Sequence, residues 1–413
     1  MARRFPVPTL RGVSRSLFGP EAADTRQSLI ALGISTLTSI GAGLTLGAIE
    51  ETLRELRGLL VLVPAAIAMR GNIFGALGSR LSTSLHTGTF SLSRRADTVV
   101  GQNVLAAIVL TLMSSVALGV LAKTTAVAFD VPDTISVVDL VVISTVGGLL
   151  SSFVVLAVTL ALAGGSTRFG WDLDNVTAPL VSAVGDVVTL PALFVATSLV
   201  GISFVTPLVA LASAVAAIVA LVGVARSGRS VLRGVVRESV PILLVAGLLT
   251  VVAGVAIEKQ LETFSRFQVL LVLVPAFLAG AGAIGGILSS RLSSKLHLGL
   301  VEPAAVPDRV ARADIGSAIG LAVPVFVALG FLSHLAATTL GQSSPGLVDV
   351  VSVAVLGGVV TTALVVAIGY YGTIAAVRLG ADPDNVGIPL VTSTVDLVGA
   401  YALVIAVSLV GLS

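Results

Sequence analysis

The chain has no cysteine, so no disulfide, thiolate metal site or cysteine nucleophile enters its chemistry. Charge is scarce. Asp, Glu, Lys and Arg make up 11% of the 413 residues, against about 25% in a soluble domain. Aromatics stand at 4%, and the three histidines, His86, His297 and His334, are too few and too scattered for a zinc cage. A formal charge of +2, with no basic stripe interleaved with aromatics, argues against a nucleic-acid partner. Residues 1–26 carry Arg3, Arg4, Arg11, Arg15 and Arg26 but no apolar core, which does not fit a signal peptide. No phosphate loop, zinc-protease helix or nucleophile elbow stands in a usable context, and no enzyme reading survives.

What is present is apolar surface: 55% of residues are hydrophobic and the mean hydropathy is +1.07. Runs of about 20 apolar residues, the length a helix needs to cross a bilayer, start near residues 27, 57, 98, 134, 174, 205, 238, 268, 315, 345 and 384. The expected fold is an all-α polytopic membrane protein with eleven spanning helices, its partner the lipid bilayer.

The second half repeats the first. VLVPA at 61–65 returns at 272–276, and RLSTSLHTG at 80–88 returns as RLSSKLHLG at 291–299. Asp139 matches Asp349, Gly147-Gly148 matches Gly357-Gly358, and a shared Ala-Ile-Glu pairs Glu50 with Glu258. The domains expected are a cytoplasmic tail over 1–26, a five-helix repeat over 27–202, a linker helix with a basic loop over 203–237, and a second five-helix repeat over 238–413. Five helices would leave the second copy upside down, and the linker crossing restores its direction. The repeats are therefore parallel, about a pseudo-twofold axis along the membrane normal. With the N-terminus inside, cytoplasmic segments hold 18 of the 24 Lys and Arg and outer segments hold 5. The expected location is the cell membrane, with the N-terminus cytoplasmic and the C-terminus extracellular.

One stretch carries the chemistry. DNVTAPLVSAVGDVV at 174–188 returns as DNVGIPLVTSTVDLV at 384–398, so that Asp174, Asn175, Pro179 and Asp186 recur as Asp384, Asn385, Pro389 and Asp396. A mid-membrane aspartate costs roughly 2.5–3.5 kcal/mol on insertion, and it usually faces a pathway rather than lipid. Asn175 and Asp186 lie on nearly one helix face about 16 Å apart, with Ser182 between them, as Thr392 lies between Asn385 and Asp396. Pro179 frees the carbonyl of Asn175. Asp174 and Asp384 read either as ligands or simply as helix caps. All of these are hard oxygen donors, the set that magnesium or calcium prefers, and two facing carboxylates match one divalent ion. At the outer end Glu50, Glu258, Asp139 and Asp349 stand at matched places and could form a vestibule that gathers cations. Glu51, Glu55 and Glu262 read equally well as solvated loop. Arg70, replaced by Ala281 in the second copy, could partner an aspartate or act as a fixed positive element. Gly71 and Gly75 recur as Gly282 and Gly286 and read as points of close helix approach.

With VPA, MRGN and RLSTSLHTG in the second helix and DN…P…D in the fifth, the chain resembles the MgtE-type magnesium channels. It resembles the two-repeat form of their eukaryotic and archaeal solute-carrier relatives. That resemblance implies a pore between the halves, where Asp186 and Asp396 hold a hydrated Mg2+ ion, the transported cargo rather than a cofactor. It implies Asn175 and Asn385 as nearby ligands and Glu50 and Glu258 near the pore entrance. A fused pair would make one chain the equivalent of a bacterial homodimer, so a monomer is expected. Bacterial members carry a cytoplasmic magnesium-sensing domain, which 26 residues cannot supply. Feedback by internal magnesium would then act through Asp97, Asp172, Asp174, Asp308, Asp382 and Asp384. A different class stays open: a proton- or sodium-coupled carrier of an organic substrate, using the same aspartates.

Overall fold

The computed structural model describes residues 22–88, 90, 95, 97–169, 173–297, 300–378 and 388–412. Among these every regular element is a helix. The first half comprises α1 (Ala22–Ala48), α2 (Glu50–Glu55), α3 (Leu59–His86), α4 (Val99–Ala128), α5 (Val137–Phe169) and α6 (Leu173–Thr197). A linker, α7 (Val205–Arg226), leads to α8 (Ser230–Glu258), α9 (Leu261–Arg266), α10 (Val269–His297), α11 (Arg309–Thr339), α12 (Leu347–Arg378) and α13 (Ile388–Val410). Ten of these helices are long and apolar enough to span a membrane. The 27-residue α1, uncharged after Arg26, takes the place of the eleventh.

The two short helices show why the order repeats. α2 and α9 each fill the bend between the first and second spanning helices of a half, and they start 211 positions apart. The third helices begin alike: Thr98 Oγ1 accepts from Gly101 N at 3.1 Å, and Asp308 Oδ1 accepts from Ala311 N at 2.7 Å. Thr98 and Asp308 are 210 apart, so one N-cap serves both copies with different chemistry. Asp308 is thereby committed to a helix end.

The halves are interlocked. The first helix of each repeat packs on the second spanning helix of the other half, α1 on α10 and α8 on α3, as well as on its own fifth helix. Two glycines make this possible. A Cβ on Gly43 would come within 2.8 Å of the Cα of Val272, and a Cβ on Gly254 within 2.8 Å of the Cα of Val61. Both pairs are 211 apart, so these are one contact repeated about the pseudo-twofold axis. Within each half, Gly119 meets the backbone of Val141 and Gly330 that of Val351 in the same way. The linker α7 has no repeat; it lies on α4 and α5 with only Thr206, Ala217 and Val224 buried, an apolar helix facing lipid on most sides.

The register through these contacts revises one pairing. The shared Ala-Ile-Glu aligns Glu50 with Glu258 at an offset of 208, but the interlocking glycines and the short helices run at 211. In that register Glu258 stands opposite Gly47 and Glu50 opposite Leu261. The two glutamates are not equivalent, because the helix packing sets the register and overrides a three-letter match at a helix end.

Candidate functional site

Asp186 lies midway along α6, 6% exposed, between α1 and α3. Its Oδ2 accepts a hydrogen bond from Ser39 Oγ of α1 at 2.7 Å. Asp396 lies at the repeat position on α13, half-buried, and accepts no hydrogen bond from the described residues. Asp186 and Asp396 stand 210 residues apart at one position of the repeat. Ser182, one turn before Asp186, is half-buried and 3.8 Å from where a Cβ of Gly71 would stand on α3. Thr392, one turn before Asp396, is half-buried and donates to the Pro389 carbonyl at 3.2 Å.

The expected close-packing glycines of the second spanning helices leave room instead. Among the described residues nothing lies within 4 Å of a Cβ built on Gly75, Gly282 or Gly286, and Gly71 meets only Ser182. Gly71 and Gly75 are one turn apart on α3, and Gly282 and Gly286 one turn apart on α10. The glycines that seat helices on one another are Gly43, Gly119, Gly254 and Gly330, together with Gly147 and Gly148 against Leu193 and Ser115 and their counterparts Gly357 and Gly358 against Phe277 and Phe326.

The side chains of Asp174 and Asn175, the whole of Asp384 and Asn385, Asp172 and Asp382, and the rings of His86 and His297 lie outside the described residues. No cluster of three or more His, Asp or Glu side chains that could cage a metal forms among the described residues.

The expected outer acids have structural partners. Asp139 Oδ2 accepts from Ser136 Oγ at 2.6 Å, and the Asp139 amide donates back to that hydroxyl at 3.2 Å, a capping box at the start of α5. In the second copy Gly346 replaces Ser136, and Asp349 sits in the first turn of α12, where the positive end of the helix dipole favours an anion. Glu258, 5% exposed, accepts from the Gly58 amide at 3.0 Å and so caps α3 from the opposite half. Glu50 forms an ion pair with Arg54, one turn on in α2.

Arg70 finds no aspartate. It is fully buried, and its guanidinium donates to the carbonyls of Gly148 (3.0 Å) and Ala66 (3.4 Å) and to the hydroxyls of Ser115 (3.4 Å) and Ser152. No carboxylate of a described residue is within ion-pair distance. It ties α3 to α4 and α5. In the second half the counterparts of Ala66 and Ser115 are Phe277 and Phe326, whose rings meet at a 41° tilt with centroids 4.9 Å apart. A polar knot in one half is replaced by an aromatic pair in the other.

Sequence reasoning missed Ser39. It is one hydroxyl among several in a Ser- and Thr-rich helix, and only its fully buried place against Asp186 marks it. The available signal was the repeat: in the 211 register its counterpart, Thr250, also carries a hydroxyl.

Comparison with known proteins matches this duplicated architecture. The chain is 25% identical to solute carrier family 41 member 3 of Rattus norvegicus, across 97% of this chain and 92% of that protein. It is 24% identical to the Mus musculus member 3 across 93% and 83% of the two chains, and 22% identical to member 2 of Homo sapiens across 92% and 69%. No solved structure matches at a significant level. The MgtE family, described as divalent cation transporters, matches residues 63–196 and again 274–406, one copy in each half, and the chain belongs to that family.

Proposed function

We propose that this chain carries Mg2+ across the membrane through a path between its two halves, with Asp186 and Asp396 holding the ion. The observation that carries the reading is the pair itself: two carboxylates at one repeat position, mid-helix, with no cation of the protein in an ion pair with either among the described residues. Like charges in a low dielectric repel, and a divalent ion between them removes that cost while repelling anions. Magnesium sheds its waters reluctantly, so a partly hydrated ion needs few protein ligands and some free volume. The open sides of Gly75, Gly282 and Gly286 and the hydroxyls of Ser182 and Thr392 fit that need. Asp174, Asn175, Asp384 and Asn385 extend the oxygen-bearing line toward the cytoplasmic end, with the N-terminus inside on the distribution of Lys and Arg. One chain supplies both halves of the path and acts as a monomer.

The test is ion flux into liposomes, with magnesium, calcium, sodium and a proton gradient varied separately. Asp186→Asn and Asp396→Asn keep side-chain size but each remove one charge, and each is expected to lower magnesium flux tenfold or more if a carboxylate stabilises the ion by about 1.4 kcal/mol. Wild-type flux in both variants would remove the aspartates from the site. Flux driven only by a proton or sodium gradient would favour a coupled carrier over a magnesium path.

A further inference from the structure

The two aspartates repeat, but their surroundings do not. Ser39 is fully buried on α1 and donates a hydrogen bond to Asp186 Oδ2 at 2.7 Å. Its counterpart on α8, Thr250, is equally buried, yet it turns its hydroxyl to its own helix, donating to the carbonyls of Ala246 at 2.9 Å and Gly247 at 3.1 Å. Asp396 is left without a donor among the described residues and is the more exposed of the pair. We infer that Ser39 is a positioning residue for the cation site, and that it makes Asp186 a held ligand and Asp396 a free one.

This rests on reading the aspartates as the ion site and goes beyond it, because the repeat predicts two equal ligands. A hydroxyl donating to a carboxylate forms a short, charge-assisted bond. It fixes the rotamer of Asp186 and occupies one oxygen, leaving the other to face an ion or its water. Asp396 keeps its torsional freedom and must lose it when an ion arrives. The tether also has a mechanical consequence. Ser39 lies one turn before Gly43, the residue seated on Val272 of the opposite half, so the Asp186 carboxylate is anchored to α1 where α1 rests on α10. A shift between the halves is transmitted to Asp186 and not to Asp396.

The experiment compares Ser39→Ala, Ser39→Thr, Thr250→Ala, Asp186→Asn and Asp396→Asn in the full-length chain. Magnesium-dependent flux in liposomes and magnesium-dependent thermal stabilisation in detergent are both recorded as titrations. Ser39→Ala is expected to raise the half-saturating magnesium concentration about 10- to 150-fold in both readouts, the range set by losing one hydrogen bond to a charged group. Its maximal flux should stay near wild type, and any fall in its melting temperature without magnesium should be repaired by Ser39→Thr. Ser39→Thr, which keeps the hydroxyl, should restore the wild-type titration, and Thr250→Ala should leave it unmoved. Combined with Asp186→Asn, Ser39→Ala should add nothing, since its target is gone. An unshifted titration in Ser39→Ala overturns the proposal, as does an equal shift in Thr250→Ala or a lowered magnesium-free melting temperature that Ser39→Thr does not repair. If both Asp→Asn variants titrate like wild type, the ion-site reading itself has failed, and that result is distinct from the others.

Discussion

A methyl group on Gly43 would have to enter the space of the Val272 backbone, and one on Gly254 that of Val61. Neither neighbour is a flexible side chain, so the helices must separate to admit it. Gly43→Ala and Gly254→Ala should each destabilise the protein by about 1–3 kcal/mol, the usual cost of overpacking. Gly33, on the same helix as Gly43, is exposed with nothing within 4 Å among the described residues, and Gly33→Ala should be neutral or stabilising by up to about 1 kcal/mol. Thermal unfolding in detergent separates the two outcomes, and equal melting temperatures for all three variants would discredit the interlocking contact. Glycines of both kinds are visible in the sequence, but which ones touch backbone and which face open space depends on the neighbouring helix. The same holds for Arg70. Its burial in a membrane helix was legible, while its commitment to Ser115, Ser152 and Gly148 rather than to an aspartate was not.

Helix ends explain most of the acids that the repeat had singled out. Asp139 and Asp308 serve the helices they begin, and Glu258 serves a helix of the other half by accepting from the amide of Gly58, a residue held at φ 92° at the turn into α3. Such a cap contributes about 1–2 kcal/mol, because a buried amide without an acceptor carries its full desolvation cost. Glu258→Ala should therefore lower stability by about that amount and increase amide exchange in the first turn of α3. Glu258→Gln, which retains a carbonyl oxygen, should lose less. Glu51 is exposed on α2, and Glu51→Ala serves as the comparison, expected within about 0.5 kcal/mol of wild type. If Glu258→Ala is as silent as Glu51→Ala, the cap across the halves contributes nothing. A carboxylate at a loop boundary looks the same in sequence whether it faces solvent, caps its own helix or caps another.

The exchange of first helices makes the two halves one unit. α1 lies on α10, and α8 lies on α3 and α4, so the connection between α7 and α8 carries none of the contacts that join the halves. The turn at Ser227, Gly228 and Arg229 is half-buried to exposed. A protease site inserted after Gly228 and cut after purification should leave two fragments that co-elute and keep the magnesium response of the intact chain. Fragments that separate in mild detergent would show that the linker, and not helix packing, holds the halves together.

The sequence by itself determined the class of protein and its duplication. Hydrocarbon admits only segments that satisfy their own backbone, so composition and run length leave a bundle of spanning helices as the outcome. A repeat of 210 or 211 residues with one extra crossing leaves parallel halves. It also marked Asp186 and Asp396, since ionised side chains are too costly in a membrane to recur by accident. Only the tertiary structure decided the register at the first helices, where Gly43 and Gly254 override the Ala-Ile-Glu match, and only it separated glycines that face open space from packing ones. It alone distinguished the two aspartates, because whether a hydroxyl reaches a carboxylate or its own helix is set by a few tenths of an ångström between elements far apart in the chain. Local sequence encodes the donor; the distance to its acceptor is a property of the packed whole.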